Sequence, residues 1–305
     1  QRDDSFDRFV PLALGKLKPP LGLFATYSLG VATGRDAFSY GFSANTVSNS
    51  VDTLLGTYRV ELERWSESGK SRKAEDFVNR DGKHIKWNRS LFQQFERGDT
   101  IDFLDKHLVS SIYRPFAKQW LYYDPRLIER MYRNATLFPI ILASEASSSN
   151  SDDVQECERM YGNAVVKTSS LPFVNRVIDV SGVGNTGFSC LMSVAVICLD
   201  AVQKGQCFPL YWYEQIDDSS VVPAGELDLG DTPVLKSGDL IVETGQGARF
   251  IRHDAVTDDT LRAFREAYPG NRSLQAQDVS KAKECVFYYV YGLLHSPESR
   301  ERFSA

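Results

Sequence analysis

The sequence has no hydrophobic run long enough to cross a membrane. Its longest apolar stretch, Phe188–Leu199, is interrupted by serines and is too short to span a bilayer. Hydrophobic residues make up 42% and charged residues 25% of the 305 residues, which is typical of a soluble globular protein with a substantial core. The charged amino terminus, Gln1–Phe9, has neither an initiating methionine nor the apolar segment of a secretory signal, so we expect a fragment or a processed product.

Cysteine and histidine are too sparse and too scattered to indicate a metal site. The five cysteines form no Cys-x-x-Cys pair, and three of them lie in apolar, strand-like runs. The four histidines show no ligand spacing. We interpret the cysteines as buried, reduced thiols of a cytoplasmic protein and predict no bound metal.

The chain also lacks a strong net charge, since the formal value is −5, but its charges are unevenly placed. Arg59–Arg97 contains ten basic and seven acidic residues, and Lys106–Arg133 contains six and two. Glu214–Asp259, by contrast, contains three basic and eleven acidic residues. This pattern indicates either a polarised surface that attracts polyanions locally or simply two solvated faces.

Nucleotide-binding motifs are present only in incomplete form. Gly182–Gly187 matches the dinucleotide fingerprint, but the distance from Gly187 to Asp200 is too short for the required helix and second strand. Gly69–Ser71 resembles the end of a phosphate-binding loop, yet Arg64 replaces the first glycine and a helix precedes it. We therefore predict a glycine-rich connection and a polar turn, respectively.

Signs of catalysis are equally weak. Lys18–Leu21 resembles the Asn/Asp-Pro-Pro-Tyr motif of amino-methyltransferases, but lysine and leucine can neither accept from the target amine nor stack on a flipped base. Asp76 and Asp81–Lys83 loosely suggest a metal nuclease centre, although such residues are common in polar loops. We predict that the chain is not itself an enzyme; a site assembled from distant residues is an alternative.

Hydrophobic periodicity predicts an α+β fold, with a mainly helical N-terminal segment, then a mixed or antiparallel sheet, then closing C-terminal helices. Strands without regular intervening helices exclude a Rossmann fold. The predicted helices are Asn45–Glu67, Ser90–Glu96 (with Gly98 as stop signal), a short basic helix Pro125–Arg133, Asp258–Ala267 and Asp278–Leu294. The predicted strands are two within Leu108–Tyr123, on either side of Pro115–Gln119, and Leu137–Ala143, Asn163–Thr168, Asn175–Val180, Phe188–Leu199 and Gln206–Tyr213.

Five stretches carry a resemblance to a known family. They are Gln1–Gly15, Tyr27–Phe42 (YSLGVATGRDAFSYGF), Ser111–Asp124 (SIYRPFAKQWLYYD), Gln206–Tyr213 (QCFPLYWY) and Cys285–Phe303 (CVFYYVYGLLHSPESRERF). In this order they resemble the C-terminal specificity region of Type ISP restriction-modification enzymes. Those enzymes are single polypeptides with nuclease, DNA translocase, adenine methyltransferase and target-recognition parts.

The resemblance implies a non-catalytic DNA-recognition fragment. Residues 1–105 would be the methyltransferase exit and a helical spacer, and residues 106–305 the specificity domain. Its partners would be double-stranded DNA and the methyltransferase and translocase domains of the parent polypeptide, with no membrane. S-adenosylmethionine, ATP and magnesium would belong to the parent enzyme, with no cofactor site in this fragment.

Under this resemblance, two basic segments are the candidate DNA-contacting surfaces. Lys and Arg on rigid elements contact phosphates, while Arg, Gln or Asn reach base edges in the major groove. The first set is Arg114, Lys118, Gln119, Arg126, Arg130 and Arg133, of which Gln119, Arg126 and Arg130 are eligible base readers by residue type. The second set lies in Lys70–Arg89 and comprises Lys70, Arg72, Lys73, Lys83, Lys86 and Arg89.

Several alternatives stay open. The aromatic residues Tyr113, Trp120, Tyr122 and Tyr123 are better explained as core than as stacking platforms, and Arg114 could be a buried structural arginine. Arg35 and Asp36, in the family-like Thr-Gly-Arg-Asp stretch, are expected to pair structurally or else to approach the DNA. A different class of function is a protein-interaction scaffold that docks through the acidic segment Asp217–Asp259.

Overall fold

The architecture comes from a computed structural model, which describes residue 12 and residues 22–70, 72–139, 175–182, 187–216, 240–243 and 249–303. A single 3-10 turn, Asp105–His107, accompanies the α-helices of these ranges. The helices are α1 (Asp36–Ser39), α2 (Ala44–Glu67), α3 (Ala74–Phe77), α4 (Arg89–Arg97), α5 (Asn134–Leu137), α6 (Asp258–Ala267), α7 (Val279–His295) and α8 (Pro297–Phe303). None of the helices in this part of the chain is long and apolar enough to span a membrane.

The described strands form three sheets, in the orders β1-β8-β5-β6, β2-β4-β3-β7 and β10-β11-β9. Neighbouring strands are antiparallel except for β3 and β7, which are parallel. The strands are β1 (Ser28–Leu29), β2 (Tyr40–Gly41), β3 (Leu108–Tyr113), β4 (Ala117–Tyr122), β5 (Val177–Val180), β6 (Cys190–Ser193), β7 (Val196–Ile197), β8 (Gln206–Pro209), β9 (Tyr211–Ile216), β10 (Leu240–Glu243) and β11 (Arg249–Asp254). Mixed sheets between a helical segment and closing helices confirm the predicted α+β class.

Helix α2 organises the first hydrophobic core. It begins at Ser43, whose side chain accepts a hydrogen bond from the backbone N–H of Thr46. The residues it buries recur at three- and four-residue steps and pack against α4. Helix α4 begins at Asn88, which accepts from the N–H of Leu91, and ends at Gly98 in the left-handed conformation. Both predicted helices and the predicted stop at Gly98 are confirmed.

Residues before and after the predicted boundary at residue 105 share sheets and a core. Strand β1 pairs with β8, and β2 pairs with β4. Tyr122 and Leu127 pack in the same core as α2. The division into 1–105 and 106–305 stays a prediction, and any boundary at this place would cut through continuous sheets.

The predicted helix Pro125–Arg133 is wrong. One turn at residues 125–127 is followed by an isolated antiparallel bridge between Arg130 and Ala32. The Asp124 side chain accepts the backbone N–H of Arg126 as a helix cap would, but the N–H groups of Glu129 and Arg130 donate to the carbonyls of Thr33 and Ala32 and not to the preceding turn. The arginines of this segment therefore do not share one helix face.

Two predicted strands are each broken into two strands of different sheets. Phe188–Leu199 contains β6 and β7, separated where Ser193 Oγ accepts from the N–H of Ala195. Gln206–Tyr213 contains β8 and the start of β9, separated at Leu210. Side-chain periodicity identifies an extended segment but does not show where the segment changes sheets.

The remaining strand predictions have separate outcomes. The C-terminal part of Asn175–Val180 is confirmed as β5. Leu137–Ala143 is wrong in its first residues, where Asn134–Leu137 is helical, and residues 140–143 lie outside the described residues. Asn163–Thr168 lies wholly outside them. The helices predicted over Asp258–Ala267 and Asp278–Leu294 are confirmed as α6 and α7.

Candidate nucleic-acid interface

The β3–β4 hairpin ends in an exposed tip, residues 114–116, that is tied to a turn near the start of the chain. Asp36 accepts a hydrogen bond from the Tyr113 hydroxyl at 3.0 Å and also binds the Arg114 guanidinium and the Thr33 hydroxyl. Arg114 makes a second ion pair with Asp200 at 3.5 Å. Its hydrogen bond to Tyr113 raises the pKa of Arg114, so the side chain stays cationic. Arg114 is thus half-exposed rather than buried, and it joins the hairpin to its neighbours.

The turn that receives these contacts is residues 32–36, which we call the anchor turn. The expected pair between Arg35 and Asp36 is wrong, because Asp36 binds Arg114 instead. The Arg35 side chain is only 1% exposed, and none of its guanidinium nitrogens has a hydrogen-bond partner within the described residues. Burial lowers the pKa of Arg35 to about 10, while the charge of Glu129 acts in the opposite direction. Arg35 is therefore an interior residue.

A second exposed tip, residues 130–132, leaves the other end of the anchor turn. The N–H of Arg130 donates to the carbonyl of Ala32 at 2.9 Å, and the N–H of Ala32 donates to the carbonyl of Arg130 at 3.1 Å. A side-chain hydrogen bond with Tyr132 raises the pKa of Arg130. Arg133 donates from Nη1 to Thr26 Oγ1 at 2.8 Å. Arg130 is an exposed residue of this tip, whereas the side chain of Arg133, although also exposed, is hydrogen-bonded to Thr26.

Arg126 belongs to a buried ion pair. Its Nε and Nη2 bind Asp124, with the Nη2–Oδ2 distance 2.6 Å, and His107 Nδ1 lies 3.1 Å from Asp124 Oδ2. Burial opposes ionisation of Asp124, but His107 and Arg126 outweigh it and hold the pKa of that carboxyl well below its usual range. The Arg126 guanidinium is half-exposed but already occupied by this carboxylate.

Lys118 and Gln119 are adjacent in β4 and therefore point to opposite faces of the sheet. Lys118 is exposed on the face of Trp120 and Tyr122, whereas Gln119 is half-buried on the face of Leu121. The two cannot both contact DNA from one face. Tyr122 and Tyr123 have no exposed surface, which confirms them as core residues.

The segment Lys70–Arg89, which we call the basic loop, wraps over the C-terminal end of α2. Trp65 donates from its indole to the Arg72 carbonyl at 3.1 Å, and the buried Glu61 accepts the N–H of Asn79 at 3.1 Å. Trp87 stacks on Phe92 and packs edge-on against Phe95. The loop thus carries its cations on a rigid aromatic support. All six predicted cations of this loop are exposed: Lys70, Arg72, Lys73, Lys83, Lys86 and Arg89.

Sequence reasoning missed two exposed aromatic residues with unusual backbones. Phe116 has φ +55 and is 47% exposed, and Tyr132 has φ +49 and is 39% exposed. A left-handed backbone costs a non-glycine residue roughly 1–2 kcal/mol. The sequence carries no signal for this conformation, because neither position is glycine or asparagine. Asp200, the second partner of Arg114, was also missed, since it lies 86 residues away in sequence.

The described residues contain no group of three His, Cys, Asp or Glu side chains that could hold a metal ion. Asp81 instead caps its own turn, accepting from the N–H of Lys83 at 3.0 Å and lying 3.1 Å from His84 Nδ1. Gly69 and Lys70, both left-handed, follow helix α2 rather than a strand, so their amides are not aimed as in a phosphate-binding loop.

Comparison with sequence families gives a match to the Type ISP C-terminal specificity domain over residues 22–151 and 156–305. The chain belongs to this family. The specificity domain gives no significant match among curated protein sequences.

Three solved structures resemble the specificity domain over almost its whole length. The DrdV–DNA complex, determined by cryo-EM, matches with a TM-score of 0.61, 22% identity and 100% coverage of this chain. A nuclease-deletion mutant of the Type ISP enzyme LlaGI, in complex with a DNA substrate mimic, matches with a TM-score of 0.60, 23% identity and 99% coverage of this chain. The ATP-dependent Type ISP enzyme LlaBIII, bound to DNA, matches with a TM-score of 0.60, 23% identity and 98% coverage of this chain. The chain spans 23%, 20% and 14% of those chains, so the likeness shows a shared fold within much longer polypeptides.

Proposed function

We propose that this specificity domain recognises a sequence in duplex DNA and positions it for an adenine methyltransferase and an ATP-dependent translocase of a Type ISP-like restriction-modification enzyme. The match to the family over nearly the whole chain carries the proposal. The three structures that share its fold contain DNA or a DNA substrate mimic. Under this proposal the domain itself is non-catalytic and acts in the cytoplasm.

The placement of the cations supports a division of labour. The six exposed cations of the basic loop stand on a rigid support, so we assign them to phosphate contacts, which orient a protein on DNA without reading sequence. Arg130 and Lys118, both exposed near the two tips, are further candidates for DNA contact. Gln119, Arg126, Arg114 and Arg133 are already packed or bonded within the fold, so we propose them as supporting residues first.

Cofactors would belong to the parent enzyme under this proposal. S-adenosylmethionine, ATP and magnesium would serve the methyltransferase, translocase and nuclease parts. The domain would supply binding and orientation, with major-groove readout placing the target adenine at the methyltransferase.

The deciding experiment is selection of bound duplexes from a randomised pool by the 305-residue chain, alone and joined to a methyltransferase domain. We expect an enriched asymmetric motif, with affinity that falls steeply as salt rises, because phosphate contacts release counterions. Absence of any enriched motif in both forms would overturn the proposal.

Two double charge-reversal variants test whether the attraction for DNA is confined to the basic loop. Lys86→Glu with Arg89→Glu, on the basic loop, is expected to weaken binding to all duplexes. Arg262→Glu with Arg272→Glu reverses two exposed charges on the C-terminal part, of which Arg262 pairs with Asp259 at 2.7 Å. It should leave binding within about twofold of wild type, since exposed charges and surface ion pairs outside the basic loop contribute little. Equal losses in both variants would contradict a localised phosphate surface.

A further inference from the structure

Two exposed aromatic residues, Phe116 and Tyr132, hold left-handed backbone conformations that glycine would adopt without cost. The other described non-glycine residues with positive φ are lysines and a glutamine: Lys70, Gln203 and Lys204. An aromatic ring that remains half-exposed gains little from burial to offset the backbone cost. An outlier of this kind is a reason to look for function at that position.

The two tips have the same layout. In each, an arginine stands two residues before the aromatic residue, as in Arg114–Phe116 and Arg130–Tyr132. Arg114 lies over the ring of Tyr113 at 5.0 Å, and Arg130 shares a hydrogen bond with Tyr132. Each tip therefore combines a cation with an exposed ring.

Both tips are attached to the anchor turn. Asp36 binds Tyr113 and Arg114 at one end, and Ala32 forms the two backbone hydrogen bonds to Arg130 at the other. Four residue steps separate the two attachment points, so they lie at most about 14 Å apart. One short turn thus holds the bases of both tips, and its two attachment points lie within the length of a few base pairs.

We propose that Phe116 and Tyr132 contact bases of the DNA target and set sequence discrimination, with Asp36 as the positioning residue that holds the first tip. This inference rests on the proposed function. An aromatic ring has no charge for phosphate, but it packs against a thymine methyl group or an exposed base step. Arg114 is held by Asp36 and Asp200, so its guanidinium orients the tip.

The test uses Phe116→Gly and Tyr132→Gly, because glycine suits both backbones and the variants should fold at least as well as wild type. The probe is the duplex enriched by wild type, in competition with a scrambled duplex of the same composition. We expect each variant to lose about tenfold in preference for the enriched duplex. Affinity for the scrambled duplex and its salt dependence should stay unchanged. Tyr289→Ala, which removes a similarly exposed ring (46%) on α7, is the matched control and should keep the wild-type preference.

The role of Asp36 is tested by Asp36→Asn, alone and combined with Phe116→Gly. If Asp36 acts through the tip, the Asn substitution reduces preference in wild type but adds little once the ring is gone. Full, additive loss in the double variant would show that Asp36 does not act through Phe116.

The outcomes separate this inference from the proposed function. If wild type enriches a motif and both glycine variants keep its preference, the tips are not the readers and the inference is overturned while DNA recognition stands. If wild type enriches no motif, the proposed function and this inference are both overturned.

Discussion

The thiol of Cys207 lies 3.6 Å from the Asp179 carboxylate, at the centre of the β1-β8-β5-β6 sheet. Asp179 has no exposed surface, and its Oδ2 has no hydrogen-bond partner among the described residues. A Cβ added to Gly205 would lie closer to this carboxylate than van der Waals contact allows, so the backbone at Gly205 packs directly against Asp179. Burial raises the pKa of Asp179 to about 7, with the Cys207 contact acting in the opposite direction.

The first prediction concerns stability against pH. Between about pH 4 and pH 7 the unfolded chain carries an ionised Asp179, while the folded chain favours the protonated form. The free energy of unfolding should therefore rise as pH falls from about 7 to about 4, and stay level above 7. The shift corresponds to roughly 4 kcal/mol at most.

Denaturant unfolding of wild type and Asp179→Asn across this range checks it. The variant cannot titrate, so we expect the rise between pH 7 and pH 4 to disappear. A wild-type profile that is flat there would contradict the buried, protonated carboxyl.

The second prediction concerns the Asp124 pair. Asp124→Ala leaves Arg126 and His107 without their buried carboxylate, and we expect a loss of about 3 kcal/mol or more. Because the folded pKa of Asp124 is lowered, its stabilisation is complete at neutral pH and is lost below about pH 4. This pH range lies below the range in which ionisation of Asp179 changes the free energy of unfolding. Arg97→Ala, which breaks an exposed pair with Asp99, is the control and should cost under about 1 kcal/mol.

The third prediction concerns the basic loop. Each cation that contacts a phosphate should lower the magnitude of the salt slope, d log K/d log[salt], by about 0.9 when it is removed. We expect this of Lys83→Ala and Arg89→Ala, measured by equilibrium binding between low and physiological salt. An unchanged slope with weaker binding would mean that the side chain acts on the fold and not on DNA.

The fourth prediction concerns Gly34 in the anchor turn. It has φ +68, and an added Cβ would collide with Oε2 of Glu129. Gly34→Ala should cost roughly 1–2 kcal/mol for the backbone and more for displacing Glu129, whose charge lies near the buried Arg35.

Gly69→Ala is its matched control, because Gly69 has φ +69 but open space around it. It should show the backbone cost alone. In a Glu129→Ala background most of the extra cost of Gly34→Ala should disappear, because only the Cβ of residue 129 remains, 3.1 Å from the added Cβ. An undiminished difference between the two alanine variants would contradict the role of Glu129.

Local patterns predicted the elements whose hydrogen bonds close within a few residues. Helix α2 and the two closing helices follow from their apolar periodicity, and α4 also from its stop at Gly98. The hairpin Leu108–Tyr123 follows from its aromatic and β-branched strands. The failure at residues 125–133 has a non-local cause. Pro125–Arg133 has the composition of a helix, but Ala32, far away in sequence, takes its backbone hydrogen bonds.

The sequence by itself determined the α+β class, the core helices, the exposed basic loop and, through its family-like stretches, the specificity domain. Only the tertiary structure decided which arginines are available. It placed Arg126 on Asp124, Arg114 between Asp36 and Asp200, and Arg35 in the interior. The physical reason is that a charged side chain takes its role from partners brought close by folding, and those partners lie up to 86 residues away in the sequence.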